Sequence, residues 1–288
     1  MSVKTTEVNA KSIEEAFEQS GLSFIAESAE MINSANGKTI DGKKVVYRSD
    51  TGTQLGIVGT NYGIIQNNHQ FSFMNTLCSM HDITINKVRE YNGGSLINLQ
   101  AEFKDRSLAV NKGDEIGFHL DTWNSFDGSA NATASFFALR LVCLNGLVRA
   151  DSNAMESISV KHTKNAVVRY EEAIKVFAGF EVWYESFKNN VEVLNRKMVD
   201  TRMVNNFLDN LLGESSSTKM KNKKAEIENL FVAGKGNHGK TAWDILNASV
   251  EYIDHFSKKT EEERIEYATV GGGYDLKAKA FDLAMNLN

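Results

Sequence analysis

Basic and aromatic side chains in the first two thirds of the chain have the chemistry needed to bind single-stranded nucleic acid. The basic residues that we expect to contact phosphates are Arg48, Lys87, Arg89, Arg140, Lys161, Lys164 and Arg169. Tyr62 and Tyr91 lie in the same part of the chain and are candidates for stacking on bases. Cationic side chains that follow a phosphate backbone, combined with rings that stack on bases, are typical of single-strand binding. An ordinary solvated surface with buried rings explains the same residues, so both interpretations stay open.

A second candidate for phosphate chemistry is the segment from Gly234 to Thr241, which matches the pattern G-x-x-x-x-G-K-[ST]. In that pattern backbone amides surround the phosphates, Lys240 binds the β- and γ-phosphates, and Thr241 binds Mg²⁺. The pattern requires a buried strand before it, whereas residues 224–232 have the periodicity of an amphipathic helix. We therefore predict a glycine-rich turn between two helices with Thr241 as the N-cap, and an ATP-binding enzyme is the remote alternative.

The histidines and cysteines show no metal-binding or nucleophile pattern. No histidine pair has H-x-x-x-H or H-E-x-x-H spacing, and neither Cys78 nor Cys143 has a paired-motif spacing. His119 and Asp121 lie on one strand face, but two ligands do not make a zinc site. No G-x-S-x-G elbow is present. We expect no metal, no cofactor and no catalytic residues, and hence a protein that is not an enzyme.

The composition limits the class of protein and the range of its electrostatic attraction. The net charge is −5 and the isoelectric point is about 5.8, so the whole molecule does not steer toward nucleic acid, although a local basic groove remains compatible with these values. No apolar run reaches the roughly 18 residues of a membrane span, and the first residues lack a signal-peptide profile. We expect a cytoplasmic protein with reduced cysteines and no membrane contact.

The strongest structural pattern is an apolar seam from Asn165 to about Val199. Apolar residues alternate at spacings of four and three, which predicts a single long helix of roughly 50 Å. The seam residues are Ala166, Tyr170, Ala173, Phe177, Phe180, Tyr184, Phe187, Val191, Leu194 and Met198. We assign the seam to core or subunit contacts. Lys161, His162, Lys164 and Arg169 form a short positive cluster at its start.

The chain before this seam has strand and turn patterns, and the chain after it has helix patterns. Asn92-Gly93-Gly94 predicts a hairpin, and Asn98, Gln100 and Glu102 predict a sheet with one solvated face. Beyond the seam, residues 214–224 are polar and of low complexity, which predicts a mobile loop. The fold class is α+β, with an antiparallel sheet packed on the long helix and an all-helical C-terminal half. The regions 1–165 and 166–288 are expected to form one continuous unit.

Four stretches taken together resemble a family carried by phages and plasmids, known as domain of unknown function 932. They are VVYRSDTGTQLGIVGTNYGIIQN (45–67), FALRLVCLNGL (137–147), ISVKHTKN (158–165) and GKTAWDILNASVEYIDH (239–255). The resemblance implies a mobile-element context in a bacterial cytoplasm, and it brings no established reaction or catalytic residues. The predicted outline is also similar to phage single-strand annealing proteins, which assemble as rings or filaments on DNA.

These observations support two functional hypotheses. The first is a phage or mobile-element recombination or maintenance protein that binds single-stranded DNA as a homo-oligomer. The alternative is a non-catalytic interaction or assembly protein without a role in nucleic-acid binding.

Overall fold

Strands fill most of the chain up to Val160, and helices fill most of it from Ala166 onward. The strands are β1 (Val3–Glu7), β2 (Ala26–Ile32), β3 (Thr39–Arg48), β4 (Gln54–Gly59), β5 (Ile83–Tyr91), β6 (Leu96–Asn111), β7 (Asp114–Ser125), β8 (Ala132–Arg140), β9 (Asn145–Arg149) and β10 (Ser157–Val160). The helices are α1 (Ile13–Ser20), α2 (Asn67–Cys78), α3 (Ala166–Ile174), α4 (Phe180–Arg196), α5 (Thr201–Leu212), α6 (Thr218–Ala233), α7 (Ala242–Glu251), α8 (Glu261–Thr269) and α9 (Gly272–Met285), with a π-helical turn (Tyr252–Phe256) after α7. The α+β class with antiparallel sheets is confirmed.

The computed structural model describes residues 2–10, 12–78, 82–142, 145–149, 157–174, 180–214, 217–269 and 271–287. The chain forms two compact units. Unit 1 comprises Met1–Asp105, His119–Phe136 and Ala150–Phe180, and unit 2 comprises Arg106–Phe118, Phe137–Arg149 and Glu181–Asn288. The boundaries of the two compact units therefore differ from the point near residue 165 where strand patterns give way to helix patterns. The reason is that β6, β7 and β8 contribute residues to both units.

The larger sheet has the strand order β1-β5-β6-β7-β8-β10, and β9 also pairs with β8. The predicted hairpin joins β5 to β6, where Asn92, Gly93 and Gly94 have φ angles of 48°, 68° and 106°. Glycine is favoured there because it adopts a positive φ without steric strain. The predicted solvated face is wrong for Asn98 and Gln100, which are buried and accept hydrogen bonds from a neighbouring arginine side chain.

The smaller sheet belongs to unit 1 and has the order β2-β3-β4. All its pairings are antiparallel, with Lys43 opposite Gly59 and Val46 opposite Gly56. Val46 is buried on one face of this sheet, whereas Ile57 on the other face is 46% exposed. At the end of β4 the chain turns through residues 60–63, so this sheet fixes the position of that turn in unit 1.

The apolar seam is largely buried, as predicted. Ala166 and Tyr170 of α3 and Phe187, Val191 and Leu194 of α4 are each at most 5% exposed. Residues 175–179, including Phe177, lie outside the described residues, so the predicted continuity of the two helices stays a prediction.

Ring contacts show how the seam packs within each unit. In unit 1, Phe180 stacks on Phe103 with ring centroids 3.9 Å apart and planes 5° apart. In unit 2, Trp183 and Phe187 meet the ring of Phe118 edge-on. The seam is therefore part of the core, except that Met198 at its end is 64% exposed.

The region beyond the seam is helical even where the sequence predicted a loop. Helix α6 begins at Thr218, and the hydroxyl of Ser217 accepts a hydrogen bond from the Met220 amide. The mobile loop predicted for residues 214–224 is therefore wrong from Thr218 onward, because a serine N-cap starts a helix within the polar run. Residues 215–216 lie outside the described residues.

A buried ion pair lies at the centre of unit 2. The Arg140 side chain is fully buried and donates two hydrogen bonds of 2.6 Å to the Asp114 carboxylate. It also donates to the Asn237 amide oxygen and to the Gly236 carbonyl, both at 2.8 Å. The Trp243 indole N–H donates to the same carboxylate at 3.2 Å. Burial removes Arg140 from the predicted phosphate contacts, because its guanidinium is enclosed by protein groups.

We expect Arg140→Met to lower the free energy of unfolding by about 3–5 kcal/mol, because Asp114 would remain buried without its cation. Urea denaturation followed by circular dichroism measures this loss. Arg202→Met is the matched control, since Arg202 is exposed on α5, and its effect should stay within about 0.5 kcal/mol. A loss of less than about 1 kcal/mol for Arg140→Met would show that the pair is not structural.

Candidate functional site

The basic residues predicted in the strand half are engaged in internal contacts. Arg48 forms ion pairs with Asp50 at 2.9 Å and Glu90 at 3.3 Å, and its guanidinium lies 4.0 Å from the centre of the Phe24 ring. Lys87 forms an ion pair with Glu7 at 3.1 Å. These carboxylates already neutralise the two cations, so neither is a strong candidate for a phosphate contact.

Arg89 and Tyr91 are also directed into the protein. Arg89 donates hydrogen bonds to Asn98 at 2.7 Å and to Gln100 at 3.1 Å, and burial lowers the pKa of its guanidinium. Tyr91 is fully buried and packs against Trp123 with ring centroids 5.6 Å apart. Tyr91 cannot stack on a base, because no face of its ring is exposed. We therefore remove Tyr91 from the predicted interface.

A groove in unit 1 brings the remaining predicted residues together. Its volume is about 550 Å³, and one wall comes from the end of β4 while the other comes from the start of α3. The lining residues are Gly42, Gly59, Thr60, Asn61, Tyr62, His162, Thr163, Lys164, Asn165 and Arg169. Of the predicted contact residues, Tyr62, Lys164 and Arg169 line it, and the exposed Lys161 is adjacent in sequence.

The two walls are joined by a pair of hydrogen bonds, which we call the clasp. The Gly63 amide donates to the His162 carbonyl at 3.1 Å, and His162 Nδ1 lies 3.0 Å from the Gly63 carbonyl. Because a carbonyl oxygen only accepts, Nδ1 must carry the proton in this contact. The clasp also requires glycine, since a Cβ at position 63 would lie 2.0 Å from the Thr163 carbonyl oxygen.

The clasp places two rings in parallel contact. The centroids of Tyr62 and His162 are 4.6 Å apart and the planes differ by 10°. The Tyr62 hydroxyl donates to the Ser125 carbonyl at 2.7 Å, and burial raises the pKa of this phenol to about 12. Burial lowers the pKa of the His162 imidazole, so the ring is neutral at pH 7. The pair is thus a fixed, uncharged aromatic surface at the groove.

The residues that line the groove include two cations and no acid, and the Asp127 carboxylate acts electrostatically on Tyr62 and His162 from outside the lining. Lys164 and Arg169 are exposed, and within the described part of the chain neither side chain has a hydrogen bond or ion pair. No acidic side chain is present among the lining residues. The groove also faces the beginning of α3, where the helix dipole favours negative charge. An anionic ligand with an apolar ring matches this combination.

The residues predicted from the sequence include the cations of this groove and Tyr62, but not the other residues of the opposite wall. Thr60 and Asn61 were not among the predicted contact residues, and His162 was predicted only as part of a positive cluster. No local signal links them, because the clasp joins residues 99 positions apart. The glycine at position 63 is the one sequence feature that agrees with such close backbone contact.

Comparison with known families adds one finding. A family model described as Domain of unknown function (DUF932) matches residues 54–271. The chain belongs to the DUF932 family. The matched range contains both walls of the groove from Gly59 onward, and the resemblance to domain of unknown function 932 is confirmed. No curated protein and no solved structure matches this DUF932 chain.

The segment Gly234–Thr241 of the DUF932 chain is arranged as a helix connection. It follows α6 and precedes α7, and the Asp244 carboxylate accepts hydrogen bonds from the amides of His238, Lys240 and Thr241 at 3.0–3.2 Å. Thr241 caps α7, as predicted. A phosphate loop needs free amides, and here a carboxylate takes that place. The geometry therefore favours the turn over the ATP-binding alternative.

The other residues considered as metal ligands or catalytic groups do not form a cluster within the described part of the chain. Among the described residues, no group of three or more His, Cys, Asp or Glu side chains could hold a metal ion. His119 is buried, which lowers the pKa of its imidazole to about 4. Of the helices that the structure describes, none combines the length and the apolar character needed to cross a bilayer. Cys143 lies outside the described residues.

We expect Gly63→Ala to destabilise unit 1 by about 1–3 kcal/mol, because the added methyl group cannot fit against Thr163. Thermal unfolding measures the loss, and the NMR shift of the His162 ring protons reports whether Tyr62 still stacks on it. Gly59→Ala is the matched control, since its Cβ would meet only the Gly42 carbonyl at 4.0 Å. Equal stability of the two variants, with an unchanged His162 signal, would contradict the clasp.

Proposed function

We propose that this DUF932 chain binds single-stranded DNA in the groove of unit 1, without catalysis, as a mobile-element recombination or maintenance protein. The observation that supports this proposal is the combination of Lys164 and Arg169 with the stacked Tyr62–His162 pair. The phosphate is expected at the two cations, and a base is expected against the rings. Fewer residues are therefore proposed to contact DNA than the sequence predicted, and His162 is added to them.

The sizes of the expected contributions fit a moderate affinity for each chain. Stacking of one base on an aromatic side chain contributes about 1–3 kcal/mol, and hydrogen bonds to charged groups contribute about 1.5–3 kcal/mol each. Small-ligand pockets of roughly 300–1,000 Å³ hold one drug-sized molecule, so the groove accommodates about one nucleotide. Binding along a strand then requires several copies of the chain, which agrees with the expected homo-oligomer because linked sites raise avidity.

Because the net charge is −5, DNA binding is proposed for the groove and not for the protein surface in general. With an acidic total charge, DNA is not attracted to the surface in general, and binding depends on the local potential of the groove. We therefore expect a small salt dependence that originates from the two groove cations. Each phosphate neutralised on a single strand contributes a slope of about 0.7 in a plot of log affinity against log salt concentration.

A second candidate function is protein–protein assembly, and the outer face of the β2-β3-β4 sheet favours it. Ala29, Val45 and Ile57 lie side by side across the three strands. Ile57 is 46% exposed and Ile32 at the end of β2 is 64% exposed. Exposed apolar rows of this kind mark contact surfaces. This face supports an assembly role.

The test of DNA binding is the double variant Lys164→Gln with Arg169→Gln, measured by fluorescence anisotropy with a labelled 20-nucleotide dT strand. We expect binding at least about tenfold weaker and a salt slope reduced by about 0.7, because both cations bind the same phosphate and that contact is lost. Lys219→Gln with Lys221→Gln on α6 is the matched control, since both lysines are exposed and the charge change is the same. Equal affinities of the two double variants would refute the proposal.

A further inference from the structure

The two cations that line the groove both come from the wall at the start of α3. Lys164 and Arg169 both belong to the segment that enters and begins α3. The opposite wall, formed by Gly59, Thr60 and Asn61, contributes no charge. Lys44 lies behind that wall and donates a hydrogen bond to the Tyr62 carbonyl at 2.9 Å. A groove that followed a phosphodiester chain would need cations at repeated intervals, and the described lining does not provide them.

The polar groups around the two cations also suit a single compact anion. Thr163 and Asn165 flank Lys164 in the lining, and within the described residues their side chains, like those of Thr60 and Asn61, have no hydrogen-bond partner. Hydroxyl and amide groups donate to phosphate oxygens without adding negative charge. The site thus offers two charges and several neutral donors within a groove of about 550 Å³.

The amount of charge distinguishes two kinds of phosphate. A phosphodiester within a strand carries one negative charge, whereas a phosphomonoester carries about −1.5 to −2 at pH 7 and exposes three acceptor oxygens. Two cations on one wall match the phosphomonoester better, since a diester has only one negative charge for the two of them. The adjacent Tyr62–His162 pair is uncharged and flat, which suits the base of the same nucleotide.

We infer that the groove binds the phosphomonoester of a nucleotide, either at the phosphorylated end of a DNA strand or in a free mononucleotide. The phosphate lies at Lys164 and Arg169, and the base stacks beside Tyr62 and His162. This inference rests on the proposed function, and it narrows the ligand from any segment of a strand to a terminal phosphate. The chain would then recognise strand ends, where recombination begins, and internal segments would bind more weakly.

The experiment compares strands that differ only at one end, using the full chain. Three dT 12-mers carry the same internal label, with a 5′-phosphate, a 3′-phosphate or hydroxyls at both ends, and anisotropy gives their affinities. Unlabelled dTMP, thymidine and inorganic phosphate serve as competitors. We expect one phosphorylated strand to bind at least about tenfold tighter than the hydroxyl strand, because one charge-assisted contact is added. We also expect dTMP to compete better than thymidine.

The variants assign the preference to the groove. Lys164→Gln with Arg169→Gln should reduce the phosphate preference to within twofold, and Lys219→Gln with Lys221→Gln should retain it. If all three strands bind wild-type protein with affinities within twofold of each other, the inference is overturned while DNA binding stands. Binding of dTMP in isothermal titration calorimetry, without any strand binding, would support the phosphomonoester site and overturn the DNA proposal. No binding of any strand or nucleotide would overturn both.

Discussion

The clasp between Gly63 and His162 is the constraint on which the candidate site depends. It joins a turn that follows β4 to the segment that precedes α3, and these two parts of the chain have no sequence proximity. The approach is possible because Gly63 has no side chain to meet the Thr163 carbonyl. With the two backbones joined, the rings of Tyr62 and His162 lie face to face. Lys164 and Arg169 come after His162 in the sequence and line the same groove. The aromatic surface and the cations are consequences of one close backbone contact.

The two groove cations differ from the other predicted cations because most of those others form ion pairs with carboxylates. Arg48, Lys87 and Arg140 have carboxylate partners, and Arg140 is enclosed completely. Removing charged groups from water is costly unless each one has a partner, so cations beside acidic neighbours become structural elements. Lys164 and Arg169 have no such neighbour within the described part of the chain. In an acidic protein, a site of this kind is a local exception that salt weakens readily.

Local patterns in the sequence predicted local structure well. The hairpin at residues 92–94, the Thr241 cap and the buried seam of α3 and α4 all depend on residues close together in the chain. The loop predicted for residues 214–224 missed a local signal, the Ser217 N-cap, and the other errors came from tertiary contacts. Asn98 and Gln100 alternate as solvated residues do, yet Arg89 lies over them in the folded sheet, and Tyr91 is enclosed by packing with Trp123. For the same reason, the basic cluster and Tyr62 could be predicted as contact residues, whereas their approach across the clasp and the rest of the opposite wall could not.

The most direct test is photo-crosslinking of two oligonucleotides, one with a 5′-phosphate and 5-iodouracil as its first base and one with a 3′-phosphate and 5-iodouracil as its last base, followed by mass spectrometry of the crosslinked peptides. Iodouracil reacts with aromatic side chains in stacking contact, so the crosslinked positions locate the base on the protein. We expect crosslinks at Tyr62 or His162, and their loss when excess dTMP is present. Crosslinks that map only outside residues 59–63 and 161–169, or that persist unchanged with dTMP, would contradict the assignment of this groove as the nucleotide site.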